Sequence, residues 1–166
     1  MNIQFLSGKY IVRDLLSADA EIVYEALKNN TIFYKYHPPM VSIESILQDM
    51  EVLPPNKGYE DKHYIGFFRN DILVAVMDLI EHYPQPGTAL LGFFAMNANL
   101  QGQGIGTDII SDSVAYLTQV GFQKIRLGID KGNPQSKAFW LKNDFTFTGE
   151  AYESDSSVIL VLERKL

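Results

Sequence analysis

The chain has 166 residues, a formal net charge of −6, 46% hydrophobic residues and no cysteine. Its length predicts a single domain over residues 1–166 with a core of its own, and the lack of cysteine excludes disulfides, thiolate metal sites and a cysteine nucleophile. No apolar run approaches the roughly 20 residues that span a bilayer, and an acidic chain repels nucleic acids and anionic membranes, so we expect neither as a partner.

The first third of the chain predicts one strand and two helices. Residues 8–16 have the composition of a strand. Ser17 is predicted to cap a helix that runs to Asn30, since apolar residues then recur at helical spacing. Ser42 is predicted to cap a second helix, which ends before the proline pair that begins at Pro54.

The middle of the chain changes to the period of strands. Residues 63–68 and 72–81 predict two strands joined by a short turn, and residues 88–97 predict a third. Apolar residues at helical spacing then predict a helix over residues 104–120. This helix ends at Gly121, because glycine favours the end of a helix.

The last third predicts a strand over residues 124–130 and a helix over residues 133–144. An antiparallel pair, residues 145–152 and 157–165, closes the chain. The element order is β-α-α-β-β-β-α-β-α-β-β. Antiparallel hairpins around a strand–helix–strand–helix centre indicate an α/β protein with a mixed (α+β) sheet.

Three glycines follow the strand at residues 88–97, in the sequence NANLQGQGIGTDII. The phosphate loop of NTP-hydrolysing proteins needs a lysine after its last glycine, and Thr107 stands there instead. The dinucleotide fingerprint G-x-G-x-x-G needs a glycine at that same position. What remains is a helix N-terminus whose free N–H groups bind anions, with glycines that let the backbone approach phosphate oxygens. A tight connection that binds nothing is the alternative.

Two motifs in the second half of the chain resemble a known family. Gln101-Gly102-Gln103-Gly104-Ile105-Gly106 resembles the Q/R-x-x-G-x-G/A acyl-CoA loop of the GNAT superfamily of N-acetyltransferases. The segment NPQSKAFWLKNDF is similar to the N-x-x-[AS]-x-x-[FL]-[YW]-x-x-x-G-F helix of that family. The residues at matching positions are Asn133, Ser136, Phe139, Trp140 and Phe145. The motif region covers about residues 90–145, and the order of elements fits over the whole chain.

The resemblance implies a GNAT-like acyl-CoA N-acyltransferase fold. Such a fold is a single layer of about seven strands, splayed at its centre, with helices on both faces. The pantetheine arm of acetyl-CoA, the expected co-substrate, lies in the gap between the fourth and fifth strands. Backbone groups of the fourth strand pair with this arm, which here means Phe94, Ala95 and Met96. Plain packing within the strand is the alternative role for their side chains.

The resemblance also implies where the diphosphate of the coenzyme binds. It lies on the N–H groups of residues 102–107, where Gln101 matches the first position of the loop and Gln103 contributes its amide. Thr107 adds a hydroxyl, or makes a local hydrogen bond at the start of the helix.

The last central helix adds two residues to the expected coenzyme site. Asn133 before Pro134 has the pattern of an N-cap followed by the first helical residue, and the resemblance adds a contact with the coenzyme arm. The resemblance implies a contact of Ser136 with the coenzyme as well. The expected coenzyme-binding residues are therefore Phe94, Ala95, Met96, Gln101, Gly102, Gln103, Gly104, Ile105, Gly106, Thr107, Asn133 and Ser136.

The expected reaction is direct attack of a neutral amine on the acetyl thioester, with no serine or cysteine nucleophile. Backbone N–H groups near residues 94–96 are the expected donors to the oxyanion. Many relatives place a tyrosine, which protonates the departing thiolate, where this chain has Trp140. An indole N–H is too weak an acid for that step. Because a thiol has a pKa of about 8.5, we expect the thiolate to leave unassisted, or with a proton from water or another tyrosine.

Carboxylates near the end of the strand at residues 72–81 are candidates for the general base. Asp78 and Glu81 are placed to accept the proton of the amine directly or through water. They are three positions apart, so their side chains point to opposite faces of the strand and only one of them faces the gap. We favour Glu81, and a solvated strand edge is the alternative. The three histidines show no metal-ligand spacing, so no metal is expected.

The aromatic segment TIFYKYHPPM, residues 31–40, falls between the first two helices, where relatives build the acceptor pocket. Tyr34, Tyr36 and His37 are the expected substrate-binding residues. Aromatic residues beside two prolines also fill loops without binding anything, which is the alternative. An acidic protein with aromatic pocket walls suits a cationic primary amine of a small molecule or a peptide.

The leading interpretation is an acetyl-CoA-dependent N-acetyltransferase. We expect it in the cytoplasm, because the start of the chain lacks the pattern of a signal peptide. A non-catalytic acyl-CoA-binding regulatory module is the alternative that the missing tyrosine favours. The strands near the C-terminus are expected at an edge of the sheet, where they could pair with the same strands of a second copy in a homodimer.

Overall fold

The computed structural model describes residues 1–154 and 157–166. The strands in this part of the chain are β1 Ile11–Asp14, β2 Lys62–Arg69, β3 Ile72–Glu81, β4 Thr88–Met96, β5 Lys124–Asp130, β6 Thr146–Glu153 and β7 Val158–Lys165. The α-helices are α1 Ala20–Leu27, α2 Thr31–Tyr36, α3 Ile43–Glu51, α4 Ile105–Gln119 and α5 Pro134–Lys142. The predicted order of elements is confirmed, with α2 added to it. None of the helices described is long and apolar enough to cross a bilayer.

The strands form one mixed sheet in the order β1-β2-β3-β4-β5-β7-β6. Neighbouring strands are antiparallel except β4 and β5, which are parallel. The β4–β5 pairing joins residues 88–91 to residues 124–127 and then stops. Residues 92–96 of β4 therefore extend beyond the paired part, and the sheet is splayed at its centre, as predicted.

A bulge at Gly92 marks the start of the gap. Leu79 of β3 pairs with Leu91, but Asp78 pairs with Phe93, so Gly92 is an extra residue in β4. A bulge of this kind bends its strand, and this one lies where the β4–β5 pairing ends. A side chain here would require Asp78 to move, because a Cβ on Gly92 would lie 2.8 Å from Asp78 Oδ2.

Helices cover both faces of the sheet, and each face has its own apolar core. α4 and α5 pack on one face, where Trp140 is among the buried residues. α1 and α3 pack on the other face through residues such as Val23 and Ile46. β3 contributes alternate side chains to both cores, Met77 to the first and Val76 to the second, because successive residues of a strand point to opposite faces. This accounts for the unbroken apolar run at the start of β3.

The start of α1 differs from the prediction. Ser17 does not cap the helix, because it is the first residue of a short 3-10 turn and α1 begins at Ala20. The carboxylate of Asp19 accounts for this difference. It accepts a hydrogen bond from the N–H of Leu16 at 2.8 Å and is held by the guanidinium of Arg13.

The segment predicted as an aromatic loop contains the short helix α2. Tyr34 is buried, and Phe33 packs edge-on against Phe93 of β4 with 5.6 Å between ring centres. Packing of these rings stabilises α2, since an isolated helix of six residues is not stable in water. α3 then begins as predicted, because Ser42 Oγ accepts a hydrogen bond from the N–H of Ser45.

Candidate active site

A pocket opens where β4 leaves β5. Its volume is about 280 Å³, at the small end of ligand pockets, which suits a narrow chain. All the predicted coenzyme-binding residues except Gln103 line it. The lining residues outside that prediction are Asn30, Phe33, Leu100, Gln135, Phe139, Trp140 and Lys142.

The N-terminus of α4 lies in the wall of this pocket and has no side-chain cap among the described residues. Gly104 is the N-cap, and the N–H of Asp108 donates to Gly104 O at 3.1 Å to begin the helix. The N–H groups of Ile105, Gly106 and Thr107 precede that bond and have no helical carbonyl to pair with. With the helix dipole behind them, these groups form the kind of site that binds an anion.

The glycines of the loop serve two different purposes. Gly102 and Gly104 have φ values of 76° and 80°, in the left-handed region that favours glycine. The space around them is open, since a Cβ at either position would meet no atom within 4 Å. Gly106 instead permits close packing, because a Cβ there would lie 3.2 Å from Met96 Sδ and 3.2 Å from the Phe139 ring. The loop thus leaves room for a ligand while α4 packs tightly against β4 and α5.

The end of β4 beyond the bulge offers backbone groups to the pocket. In an antiparallel pair, residues alternate between those that bond to the neighbouring strand and those whose N–H and C=O point away from it. The N–H of Asn97 donates to Val74 O of β3 at 2.9 Å. By this alternation Ala95 also bonds to β3, and Phe94 and Met96 face the gap. A strand-like ligand would pair with these two residues.

A chain of side-chain amides crosses the mouth of the pocket. Asn30 donates from Nδ2 to Met96 O at 2.8 Å. Gln101 Nε2 donates to Asn30 Oδ1, and Gln135 Nε2 donates to Gln101 Oε1 at 3.3 Å. Gln101 is thereby linked to Asn30, the residue before α2, and to Gln135 of α5, whereas Gln103 does not line the pocket. No sequence signal marks Asn30, because its partner Met96 lies 66 residues away.

Asn133 caps α5 as its sequence pattern predicts. Its Oδ1 accepts a hydrogen bond from the N–H of Ser136 at 3.0 Å, and Pro134 is the first helical residue. Because the cap uses Oδ1 and Asn133 also lines the pocket, the side-chain NH₂ group remains for a ligand. Ser136 lines the pocket beside it.

Trp140 fills the space between α5 and the sheet. Its ring centre lies 5.8 Å from that of Phe94, and 4.9 Å from those of Phe139 and Phe145. The side chain is buried, with 6% of the residue exposed. These contacts give Trp140 a packing role beneath the pocket.

The predicted acceptor residues of α2 lie beside the pocket, and Phe33 of the same helix lines it. Tyr34 is buried with its ring 5.0 Å from that of Phe33, and burial raises the pKa of its hydroxyl. Tyr36 is partly exposed. His37 is half exposed, and its Nδ1 lies 3.2 Å from both carboxylate oxygens of Asp130.

Glu81 is held in an ion-pair network at the end of β3. Its Oε1 lies 2.8 Å from the Met1 ammonium and 2.7 Å from His63 Nε2. Burial raises the pKa of the Glu81 carboxyl, but these two hydrogen bonds outweigh burial and hold the pKa below its usual value. Glu81 pairs with Ala89, where β4 is still paired with β5. It therefore lies toward the closed end of the gap.

Asp78 lies nearer to the gap, on the opposite face of β3 from Glu81. Both of its carboxylate oxygens lie 2.8 Å from Lys62 Nζ, and both side chains of this pair are largely buried. Burial raises the pKa of the Asp78 carboxyl, although Lys62 acts in the opposite direction. Asp78 and Glu81 are thus each bound to a cationic or imidazole partner, and neither lines the pocket.

Comparison with known proteins gives a family and a fold. Residues 23–145 match the Acetyltransferase (GNAT) family. An acetyltransferase from Thermus thermophilus has 19% sequence identity and a TM-score of 0.74, with 95% of this chain and 97% of that chain covered. The N-acetyltransferase PaiA from Thermoplasma acidophilum, in complex with coenzyme A, has 19% identity and a TM-score of 0.67, with 95% and 99% covered. No match was found among the curated proteins.

Proposed function

The chain belongs to the acetyltransferase (GNAT) family, and from this premise we propose that it transfers an acetyl group from acetyl-CoA to a primary amine of a small molecule or a peptide. One observation carries the proposal. The strand edge at Phe94 and Met96 and the uncapped N-terminus of α4 lie in the same pocket. A molecule with an amide-bearing arm and a diphosphate matches both features at once.

The coenzyme is proposed to bind along these two features. Its diphosphate accepts hydrogen bonds from the N–H groups of residues 105–107 at the start of α4. Its pantetheine arm pairs with Phe94 and Met96, which places the thioester beside the bulge at Gly92. The volume of the pocket, about 280 Å³, suits the arm, and the larger nucleotide end remains outside.

The proposed chemistry is direct attack of the amine on the thioester carbon. The backbone N–H groups at the edge of β4 are proposed to donate to the carbonyl oxygen as it becomes negative, because preorganised donors of this kind stabilise an oxyanion. The thiolate leaves with its electron pair, because a thiol pKa of about 8.5 makes it a tolerable leaving group near neutral pH. This chemistry requires no nucleophilic side chain.

Trp140→Phe is expected to leave the turnover number within about twofold of the wild type, because the proposed chemistry needs no acid at this position. The smaller ring removes buried contacts with Phe94 and Phe145, so the free energy of unfolding should fall by about 1–3 kcal/mol. Steady-state kinetics and chemical denaturation measure the two effects. A collapse of turnover with normal acetyl-CoA binding would contradict the packing role.

The assignment of Glu81 or Asp78 as the general base stays a prediction. Each carboxylate must first give up a partner, the Met1 ammonium and His63 for Glu81 or Lys62 for Asp78. The lowered pKa of Glu81 makes it the weaker base of the two. The raised pKa of Asp78 and its place beside Gly92 make Asp78 the stronger candidate of these two carboxylates.

The acceptor is proposed to be a cationic amine that enters on the side of α2. Phe33 lines the pocket there and packs against Phe93, and Tyr34 packs against Phe33. Aromatic rings attract ammonium groups through their faces, and the net charge of −6 favours cations over the whole surface. Polyamines, aminoglycosides, amino acids and peptide N-termini all have the required chemistry.

A panel of these amines tests the proposed function. Purified protein and acetyl-CoA are incubated with each amine, free thiol is followed over time, and the acetylated product is identified by mass spectrometry. Thiol release that depends on both protein and amine is the expected result. Longer acyl-CoA donors in parallel reactions measure the preference for acetyl. Binding of acetyl-CoA without turnover of any amine would favour the alternative, a non-catalytic acyl-CoA-binding module.

Assembly into a homodimer is proposed on the basis of the β6 edge. β6 is exposed along its whole length, including the rings of Phe147 and Tyr152. Exposed apolar edge strands are sites of pairing between chains. Light scattering coupled to gel filtration measures the mass, and a value of one chain at micromolar concentration would contradict this proposal.

A further inference from the structure

His37 and Asp130 come together at the mouth of the gap. His37 follows the last residue of α2, and Asp130 is the last residue of β5. The Nδ1 atom of His37 lies 3.2 Å from each carboxylate oxygen of Asp130. These two residues, 93 positions apart in the sequence, form the His37–Asp130 pair.

The carboxylate of Asp130 is fixed in place. Asp130 is 5% exposed, and Ser157 Oγ donates a hydrogen bond to its Oδ1. The backbone beyond it is held by the N–H of Lys131, which donates to Val158 O at 2.8 Å. A buried carboxylate needs partners of this kind to remain charged.

A fixed carboxylate beside Nδ1 determines which form the imidazole takes. In the tautomer that donates from Nδ1 to Asp130, the lone pair of the neutral ring is on Nε2. Other enzymes use a buried aspartate in this position to orient a histidine for proton transfer. The His37 side chain is 49% exposed, so the ring is accessible from outside.

The pair adjoins the pocket on both sides. The ring of His37 packs against Phe33, with 5.3 Å between ring centres, and Phe33 lines the pocket. Asp130 O accepts a hydrogen bond from the N–H of Asn133 at 3.1 Å, and Asn133 also lines the pocket. Neither member of the pair lines the pocket itself, and the imidazole therefore lies just outside it, beside Phe33.

We propose that His37, rather than Asp78 or Glu81, is the proton acceptor of the reaction and that Asp130 is its positioning residue. The proposal rests on the acetyl transfer proposed above. The amine nitrogen forms a bond to the thioester carbon, and its surplus proton passes to His37 Nε2. The carbon–sulfur bond then breaks, and the thiolate leaves with the electron pair. The imidazolium returns its proton to the thiolate or to water, so the ring ends as it began.

His37→Ala tests the catalytic role. The expected result is a loss of about 10²-fold in the turnover number, the low end of what a general base contributes, with unchanged affinity for coenzyme A. Added imidazole is expected to raise the rate of His37→Ala at least tenfold. The rate is measured as acetylated amine by mass spectrometry, with a protein-free blank. Lys35→Ala, an exposed change on the same helix, is the matched control and should show neither effect.

Asp130→Asn tests the positioning role. An amide retains the size of the side chain but removes the charge that holds the imidazole, so the turnover number should fall about tenfold or more while the KM for acetyl-CoA is unchanged. In the double variant with His37→Ala, turnover should be no lower than in His37→Ala alone, because both changes disable one unit. If the two changes were independent structural defects, their fold-losses in turnover number would instead multiply in the double variant.

Three results would overturn the proposal. Full activity of His37→Ala would remove His37 from the chemistry and leave the acetyl transfer itself intact. A loss that imidazole does not restore, with multiplying defects in the double variant, would mean that the pair only stabilises the fold. Wild-type protein that binds acetyl-CoA but acetylates no amine in the panel would overturn the proposed function, and this proposal with it.

Discussion

Gly104→Asp is expected to weaken the binding of coenzyme A by about 10²-fold. Aspartate tolerates the left-handed conformation that position 104 requires (φ 80°), and the space around a Cβ there is open. The new carboxylate would lie beside the N–H groups of residues 105–107, where it competes with the diphosphate and repels it. Two unit charges about 4 Å apart near a protein surface repel by about 1–4 kcal/mol, and the diphosphate carries more than one. Calorimetric titration with coenzyme A measures the effect.

Gly104→Asn is the matched control for this change. Asparagine has the same size and the same tolerance for the left-handed region, but it carries no charge. Its affinity for coenzyme A should fall by less than about tenfold, and rising salt should narrow the difference between the two variants. Equal affinities would show that the diphosphate does not bind at this loop.

Lys62→Met is expected to lower the free energy of unfolding by about 3–5 kcal/mol, because it leaves the Asp78 carboxylate buried without its cation. The side chain of Lys62 is 3% exposed and that of Asp78 is 13% exposed, so water cannot replace the lost partner. Methionine keeps most of the length and apolar volume of lysine. Chemical denaturation at several pH values measures the loss.

The loss in this variant should grow as the pH rises. Burial already raises the pKa of the Asp78 carboxyl in the wild type, so the folded state binds the carboxyl proton more tightly than the unfolded state does. The stability that this protonation contributes is lost as the pH rises above about 3.9. Without Lys62 the folded pKa rises further. Lys62→Met should therefore be least harmful near pH 4 and most harmful above neutrality.

Asp78→Leu in the Lys62→Met background provides the control. Leucine has a branched shape similar to that of aspartate but no charge, so the double variant should recover most of the stability and lose the pH dependence. A loss that is the same at every pH, or that the second change does not relieve, would show that Lys62 stabilises the core by packing alone.

Much of the fold could be predicted because local signals agree with the tertiary structure. The run at residues 72–81 is long and rich in β-branched side chains, and it forms β3 as predicted. The loop before α4 was recognisable because Gly102 and Gly104 occupy φ values that few other residues adopt. Asn133 before Pro134 likewise has the local sequence pattern of a helix N-cap, and it caps α5.

The missed features depend on contacts between distant segments. α2 forms because Tyr34 and its neighbouring rings are buried against β4, which local helix propensity does not reveal. The role of Asn30 depends on its hydrogen bond to the carbonyl of Met96, which lies 66 residues later in the sequence. No sequence signal marks Asp130 either, since only the whole fold brings its partner His37 to it.

The bulge in β4 brings positions 78 and 92 into steric contact. A Cβ at position 92 would lie 2.8 Å from Asp78 Oδ2, and moving that carboxylate aside would disturb its bonds to Lys62. Homologues that carry a side chain at position 92 should therefore carry a smaller residue at position 78, and the lysine at position 62 should disappear with the aspartate. We therefore expect positions 62, 78 and 92 to covary in an alignment of homologues.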